Sequence, residues 1–387
     1  MFRSWFRALN ELLRGDLTSP DDLSRSNIRP PARLFACWAL VLGASYGSLL
    51  GVKLAAAGHA VTLVCLPAEA ALINDKGAIV RLPVKGREGL VEVNSRALPG
   101  TLGAAGPGEV DPRAFDLVAL AMQEPQYRSP GVRELLEAVA RARVPCLSIM
   151  NMPPLPYLRR LPGVNADACA DCYTDASVWD AFDPKLVTLC SPDPQAFRPP
   201  EEPVNVLQVR LPTNFKAARF ESDDHTALLR ELAAGIEAIR FDTGAGVVEL
   251  PVKLKVHDSV FVPLAKWAML LAGNYRCVQA DSVRPIKDAV HGDPAASRSV
   301  YEWVAKLCVA LGADPSALVP YEKYANAALS LGSPSSAARA LAGGAQYIER
   351  VDRLVQAIAS QRGMSNAAVD ETVRLVDDWL VRNRRKG

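Results

Sequence analysis

One lysine and one asparagine interrupt a long apolar segment in the second half of the chain. Lys266 stands among apolar residues of segment 261–273, and Asn274 follows it by eight positions. At about 100° per residue, eight positions place the two side chains about 80° apart around an α-helix, so both can border one cleft. An ammonium group is costly to bury without a partner, which favours a functional role for Lys266. The alternative is a side chain whose stem lies along the surface while its charge stays in water.

A glycine-containing turn near the N-terminus is the second candidate for chemistry. It separates an apolar run at 34–42 from a small-residue helical stretch and a second apolar run at 61–64. This order is typical of a dinucleotide-binding βαβ unit, whose usual fingerprint is Gly-x-Gly-x-x-Gly. The turn here is one residue shorter and has no middle glycine. Its residues are Gly43, Ala44, Ser45, Tyr46, Gly47 and Ser48.

The elements around these residues alternate between strand and helix patterns up to residue 150. Apolar runs at 115–122 and 144–150 predict buried parallel strands, separated by a helix at 131–143. We expect residues 73–77 to form a turn and residues 99–112 to form a loop. Beyond His225 the pattern is helical: a helix at 226–238, one through Lys266, one at 297–311, and more to Arg382.

The sequence therefore predicts an α/β protein with an N-terminal Rossmann-like, doubly wound parallel sheet followed by an all-helical C-terminal domain. The predicted boundaries are an N-terminal extension at 1–33, a dinucleotide-binding domain at 34–250, and a helical substrate and dimerisation domain at 251–387. A length of 387 residues is enough for two domains, each with its own core.

Composition and charge exclude several classes of partner. Charged residues make up 22% of the chain and the net charge is +2, so no global basic field attracts nucleic acid or a membrane surface. The apolar run at 34–42 is about half of the roughly 20 residues that span a bilayer. Residues 1–15 have an amphipathic pattern that suits packing on the protein or, alternatively, a membrane surface. No signal-peptide cleavage pattern follows, which favours a cytoplasmic protein.

Among the eight cysteines, only Cys169 and Cys172 have the spacing of a metal or redox pair. A zinc site needs a second pair of ligands, and the nearest candidate, Cys190, stands alone. A redox pair normally opens a helix in a thioredoxin-like context, which the surrounding sequence lacks. We therefore predict no metal and interpret these cysteines as loop thiols, with zinc or redox function as the alternative.

The order and intervals of these features resemble the ketopantoate reductase (2-dehydropantoate 2-reductase) family over residues 39–380. The segments that carry the resemblance are 41–44, 47–49, 57–59, 61–64 and 73–77, together with Asn151 after a strand and the spacing of Lys266 and Asn274. The family's architecture, a Rossmann domain followed by a helical domain, agrees with the prediction made from the pattern alone.

The resemblance implies an NADPH-dependent reduction of a 2-oxo acid in a cleft between the domains, with NADH as a possible cofactor. It implies a small-molecule substrate and a homodimer. Lys266 corresponds to the family's general acid and Glu349 to its acidic partner, while Asn274 and Ser336 correspond to substrate-binding residues. The positions that correspond to cofactor contacts are Gly43, Ala44, Ser45, Tyr46, Gly47, Ser48, Gln123 and Asn151.

The chain also departs from the family's pattern. Gln123 replaces a lysine that the family often has, and residues 65–67 (Cys-Leu-Pro) offer neither an acid for a ribose hydroxyl nor an arginine for a 2′-phosphate. Leu270 replaces an expected asparagine, which predicts a substrate other than ketopantoate. The alternative function is a non-catalytic nucleotide- or ligand-binding protein on the same scaffold that has lost hydride transfer.

Overall fold

The structure is a computed structural model that describes residues 28–29 and 36–386. These residues form two compact units. The first comprises the described residues up to Met122, together with Pro130–Ile149 and Ala181–Val256. The second comprises Gln123–Ser129, Met150–Asp180 and the described residues from His257 onward. The amphipathic pattern at 1–15 lies outside the described residues, and the domain boundaries drawn from the sequence stay a prediction.

The first unit is built on three sheets. The largest has eight strands in the order β15-β12-β9-β8-β7-β2-β3-β6, a second has the order β10-β11-β4-β5, and a third has the order β1-β13-β14. The strands are β1 Ile28–Arg29, β2 Trp38–Leu42, β3 Ala60–Val64, β4 Ile79–Pro83, β5 Leu90–Asn94, β6 Thr101–Ala105, β7 Leu117–Leu120, β8 Cys146–Ile149, β9 Val187–Ser191, β10 Gln195–Phe197, β11 Val206–Leu211, β12 Phe215–Ala218, β13 Arg240–Asp242, β14 Val247–Val248 and β15 Leu254–His257.

The helices alternate with strands in the first unit and dominate the second. They are α1 Tyr46–Ala56, α2 Pro67–Lys76, α3 Val132–Ala142, α4 Leu155–Leu158, α5 Asp223–Glu237, α6 Lys266–Met269, α7 Ile286–His291, α8 Pro294–Leu311, α9 Tyr321–Ala328, α10 Ser336–Ala342, α11 Val351–Ser360 and α12 Ala367–Lys386. In the part of the chain that the structure describes, no helix combines the length and apolar character needed to cross a bilayer.

The large sheet is doubly wound around β2. Six of its strands, from β6 through β9, are parallel, and β12 pairs antiparallel with β9. From β2 the chain proceeds outward to β3 and β6 on one side, and later to β7, β8 and β9 on the other. The carboxyl end of β2 is therefore the topological switch point, where ligands bind in open α/β sheets. The predicted fold class is confirmed.

Three local expectations were wrong. Residues 73–77 are the end of α2 and its C-cap rather than an independent turn, because Gly77 (φ 84°) terminates the helix. The segment 99–112, predicted to be a loop, contains the edge strand β6. Two hydrogen bonds between the side-chain amide of Asn74 and the backbone of Ala104 hold this strand against α2. Between α5 and Lys266 the chain forms β13, β14 and β15 instead of a helix.

Candidate active site

Glu349 is the centre of a polar cluster inside the second unit. Its side chain is 8% exposed, and both of its carboxylate oxygens accept a hydrogen bond. Asn151 donates from Nδ2 to Oε2 at 3.3 Å, and the backbone N–H of Glu124 donates to Oε1 at 3.4 Å. Two segments that lie 225 and 198 positions earlier in the sequence thus meet at this one carboxyl group.

The environment of Glu349 moves its titration into the neutral range. Burial raises the pKa of this carboxyl from 4.5 to about 7, and the negative charge of Glu124 adds to the increase. The hydrogen bonds from Asn151 and from the Glu124 backbone oppose it, as does the positive charge of Lys266. Lys266 therefore lies close enough to Glu349 for the two charges to interact. Near pH 7 this carboxyl can hold or release a proton.

Lys266 begins α6 and is half-buried. The α-helix continues only to Met269, and the next residues, Leu270–Asn274, form a π-helix. The angle of about 80° predicted between Lys266 and Asn274 assumed a continuous α-helix, so that value does not apply. Short π-helical segments inside helices often occur at functional sites.

Tyr275 connects this helix to Glu349. Its hydroxyl donates to the carbonyl oxygen of Glu349 at 2.5 Å and accepts from the backbone N–H of Val351 at 3.1 Å. The next residue after Glu349, Arg350, forms a buried ion pair with Asp352, in which Nε and Oδ1 are 3.0 Å apart. These hydrogen bonds and the ion pair fix the backbone on both sides of Glu349 and so help to position its carboxyl.

Asn274 contacts Ser335 rather than Ser336. The hydroxyl of Ser335 donates to the carbonyl oxygen of Asn274 at 2.7 Å and caps α10 by accepting from Ala338 N–H. Ser336 is the first residue of α10 and its side chain is exposed. The contact is between the buried Ser335 and the backbone of Asn274, and the substrate-binding role of Asn274 and Ser336 stays a prediction.

The amide oxygen of Asn151 is an unused acceptor. Oδ1 is buried and has no hydrogen-bond partner among the described residues, while Nδ2 is engaged with Glu349. A buried polar atom without a partner is rare in proteins and favours a ligand that completes it. The donor such a ligand must offer is an N–H or O–H group, and the carboxamide of a nicotinamide has one.

Glu124 is a second buried carboxylate that the sequence analysis did not identify. It is 2% exposed, and its oxygens accept from the backbone N–H and the hydroxyl of Thr174, both at 2.9 Å. Burial raises the pKa of Glu124 despite these hydrogen bonds. Its neighbour Gln123, predicted to contact the cofactor, is exposed and donates from its backbone N–H to the side chain of Gln126. No sequence signal other than proximity to the end of β7 marks Glu124.

In the first unit, two glycines of the turn lie so close to neighbouring residues that a side chain would collide there. Gly43 has φ 101°, and a Cβ there would lie 2.9 Å from both Ala121 O and Met122 Cγ. A Cβ on Gly47 would lie 2.7 Å from Val41 Cγ1. The first and last glycines thus serve the tight turn and the close helix–strand packing of a dinucleotide fingerprint.

The middle of the turn suits an anion. Helix α1 begins at Tyr46, and its first turn holds no acidic residue. The N–H groups and the positive dipole end of a helix N-terminus attract anions. Ser45 precedes the helix and makes no side-chain capping hydrogen bond. Ser48 donates its hydroxyl to the carbonyl oxygen of Ala44 at 2.5 Å, which closes the turn. Binding of a pyrophosphate by this turn, which lacks the usual middle glycine, stays a prediction.

The cysteines predicted as loop thiols are buried. Cys169 and Cys172 lie in a 3₁₀-helix, and Gln361 donates from Nε2 to Cys169 Sγ at 3.4 Å. Burial raises the pKa of Cys172 to about 12. Among the described residues, no group of three or more histidine, cysteine, aspartate and glutamate side chains could hold a metal ion.

Comparison with solved structures identifies the fold. The probable 2-dehydropantoate 2-reductase of Bacillus subtilis aligns over 88% of this chain and 99% of its own, at 14% identity and a TM-score of 0.55. The 2-dehydropantoate 2-reductase of Methylococcus capsulatus aligns over 89% and 97%, at 14% identity and a TM-score of 0.60. The chain has the fold of the ketopantoate reductases. The resemblance stated from the sequence is confirmed, and the low identities make this a divergent example of that fold.

The same fold is found in a second kind of oxidoreductase. The ternary structure of D-mandelate dehydrogenase with NADH and anilino(oxo)acetate aligns over 90% of this chain and 99% of its own, at 14% identity and a TM-score of 0.59. No protein-family model matches the chain, and no curated protein matches it.

Proposed function

We propose that this protein is an NAD(P)H-dependent reductase of a 2-oxo acid or a related carbonyl compound. The observation that carries the proposal is the cluster in the second unit, where Asn151, Lys266 and Glu349 converge from three distant segments. These are the residues that the family resemblance assigned to cofactor contact, general acid and acidic partner. Their assembly around one carboxyl with a neutral pKa supports proton transfer rather than a purely structural role.

The glycine turn is the proposed site of the cofactor's pyrophosphate. The N-terminus of α1, with Ser45 and Tyr46, would hold it through backbone N–H groups and the serine hydroxyl. Asn151 would accept a hydrogen bond from the nicotinamide carboxamide through its unused Oδ1. When bound, the reduced nicotinamide supplies the hydride for the carbonyl carbon.

The protein's own contribution is to control a proton. Lys266 donates a proton to the carbonyl oxygen as negative charge develops there, and its remaining positive field stabilises that oxygen until transfer is complete. Glu349 is protonated below about pH 7 and restores the proton on Lys266. Asn274 and Ser336 would orient the polar groups of the substrate, while Ser335 fixes the backbone of Asn274 by donating to its carbonyl oxygen.

We further propose NADPH as the preferred cofactor, with NADH as the weaker one, and a cytoplasmic homodimer as the working form. A ketopantoate reductase of Staphylococcus aureus with this fold, aligned at 9% identity and a TM-score of 0.56, is dimeric. Light scattering of the purified protein at micromolar concentration tests the dimer.

The test of the proposed function uses the purified full chain. The fluorescence of NADPH or NADH should change on binding. The absorbance of the reduced nucleotide should fall over time, as it is oxidised, when 2-oxo acids with small, branched and aromatic side chains are added as a panel. Oxidation of NADPH or NADH in the presence of at least one member of the panel supports the reductase. Nucleotide binding without reduction of any member supports the alternative, a binding protein that has lost hydride transfer. Absence of binding to either nucleotide overturns the reductase and leaves a binding protein for another ligand.

A further inference from the structure

Arg198 lies on the glycine turn although it comes from a distant part of the first unit. It follows β10, and its Nη2 donates to the carbonyl oxygen of Ala44 at 2.8 Å. The same nitrogen forms an ion pair with Glu69, a 9% exposed residue in the first turn of α2. Its Nε is buried and has no hydrogen-bond partner among the described residues. The guanidinium therefore has unused donor capacity beside the turn.

The Arg198–Glu69 pair lies at the carboxyl end of β3. Burial raises the pKa of Cys65, the residue that follows β3, to about 12; the charge of Glu69 adds to this increase and that of Arg198 opposes it. Both charged groups thus act on the position next to the last residue of the strand. In a dinucleotide-binding βαβ unit, the end of the second strand is where the adenosine ribose lies.

An acid at that position accepts from the ribose hydroxyls, whereas an arginine nearby binds the 2′-phosphate of NADP. Residues 65–67 offer neither, as the sequence shows. The fold supplies both from elsewhere, Glu69 from α2 and Arg198 from a segment 129 positions further along the chain. The two groups are paired with each other, so a ligand that engages one must compete with the other.

We propose that Arg198 is the residue that selects the phosphorylated nucleotide, exchanging Glu69 for the 2′-phosphate of NADPH. This inference rests on the proposed function. A phosphate offers more charge and more acceptor oxygens than a carboxylate and matches the planar fork of a guanidinium, so it competes effectively for Arg198. Nε then gains the acceptor that it lacks. NADH has no 2′-phosphate to replace Glu69, and its binding leaves the ion pair closed.

Substitutions of Arg198 and Glu69 should have opposite effects on NADPH binding. Arg198→Met should weaken NADPH binding about tenfold or more, the effect of losing a charged hydrogen bond, and should leave NADH binding within about twofold. Glu69→Gln keeps the guanidinium and removes its competitor, so it should tighten NADPH binding. Arg210→Met removes the same charge from the neighbouring strand β11, where Arg210 is exposed and stacks on Phe197, and should change neither affinity.

The experiment is a fluorescence titration of each full-length variant with NADPH and NADH, repeated with 2′,5′-ADP and 5′-ADP as competitors. Stronger competition by 2′,5′-ADP in wild type, lost in Arg198→Met, supports the proposal. Equal losses for both nucleotides in Arg198→Met, or weaker NADH binding in Glu69→Gln, overturn it while leaving the reductase intact. If wild type binds neither nucleotide, the proposed function fails as well, so the two failures are distinguishable.

Discussion

Asn151 Nδ2 donates to Oε2 of Glu349 across 3.3 Å, joining residues 198 positions apart in the chain. The bond favours the ionised form of a carboxyl that burial pushes toward the neutral form. The pKa of about 7 is the balance of these opposing effects, and a substitution at Asn151 removes one of them.

Asn151→Ala should shift the pH dependence of reduction. Because one hydrogen bond to the ionised form is lost, the pKa of Glu349 should rise above its wild-type value of about 7. Glu349 supplies protons only below its pKa, so the activity that falls near pH 7 in wild type should persist to higher pH in the variant. The measurement is kcat against pH. In a Glu349→Gln background, Asn151→Ala should cause no shift in the dependence of kcat on pH. A shift in that background would show that the pH dependence does not come from Glu349.

Glu349→Gln should remove a pH dependence from stability. The folded carboxyl titrates at about 7 and the unfolded one near 4.5, so the native state holds a proton that the unfolded state releases in this interval. The stability contributed by that proton is present below pH 4.5 and is lost as the pH rises through 7. The loss amounts to about 3 kcal/mol for a shift of this size. Glutamine cannot titrate, so the variant should lack this slope.

Denaturant titrations at pH 5 and pH 8 measure this difference. Wild type should lose more unfolding free energy than Glu349→Gln between the two values. A difference between the proteins that is the same at both pH values would show that the carboxyl has an ordinary pKa in the folded state.

Gly47→Ala should destabilise the first unit and weaken nucleotide binding. Alanine usually stabilises a helix relative to glycine, but a Cβ at this position would lie 2.7 Å from Val41 Cγ1 on a stiff, buried side chain. We expect a loss of about 1–3 kcal/mol, the range for overpacking. Gly108→Ala is the matched control, because a Cβ there meets nothing within 4 Å. Equal unfolding midpoints for both variants would contradict the close packing of α1 on β2.

Lys53→Met should stabilise the protein. Lys53 is on α1, 1% exposed, and its Nζ has no hydrogen-bond partner in the described part of the chain. Burial lowers its pKa well below 10.5, and the charge of Lys253 lowers it further. An unpartnered buried polar group costs about 1–3 kcal/mol, which methionine avoids while filling the same space.

The sign of the pH effect follows from that lowered pKa. Between the folded value and 10.5 the unfolded state binds a proton that the native state does not, so wild-type stability rises with pH across this window. The advantage of Lys53→Met should therefore shrink as the pH rises toward 10.5. Lys85→Met replaces an exposed lysine of the same unit and is the control. A smaller unfolding free energy for Lys53→Met than for wild type at pH 7 would contradict the account.

Local sequence patterns predicted the sheet and the glycine turn because both depend on short-range features. Apolar runs identify buried strands, and Gly43 and Gly47 sit where a side chain would collide with the backbone or a neighbouring strand. The angle between Lys266 and Asn274 could not be predicted, since the change to a π-helix at Leu270 leaves no periodic signal.

The charged partners at the two sites are long-range in sequence. Glu124 meets Glu349 and Arg198 meets Glu69 only because the fold brings their segments together, and neither Glu124 nor Arg198 belongs to a recognisable motif. Ser335 rather than Ser336 contacts Asn274 because the N-cap position of α10 directs its hydroxyl toward that carbonyl. A one-residue difference of this kind is fixed by where the helix begins, which sequence patterns locate only within a few residues.

In the proposed reaction, Lys266 supplies the proton for carbonyl reduction. The most direct measurement compares NADPH binding and turnover of Lys266→Ala with those of Lys306→Ala, which alters an exposed lysine of the same unit. Lys266→Ala should bind NADPH as wild type does and lose about 10²–10⁴-fold in kcat, the range for removing a general acid, whereas Lys306→Ala should retain both properties. Wild-type kcat in Lys266→Ala would contradict the account.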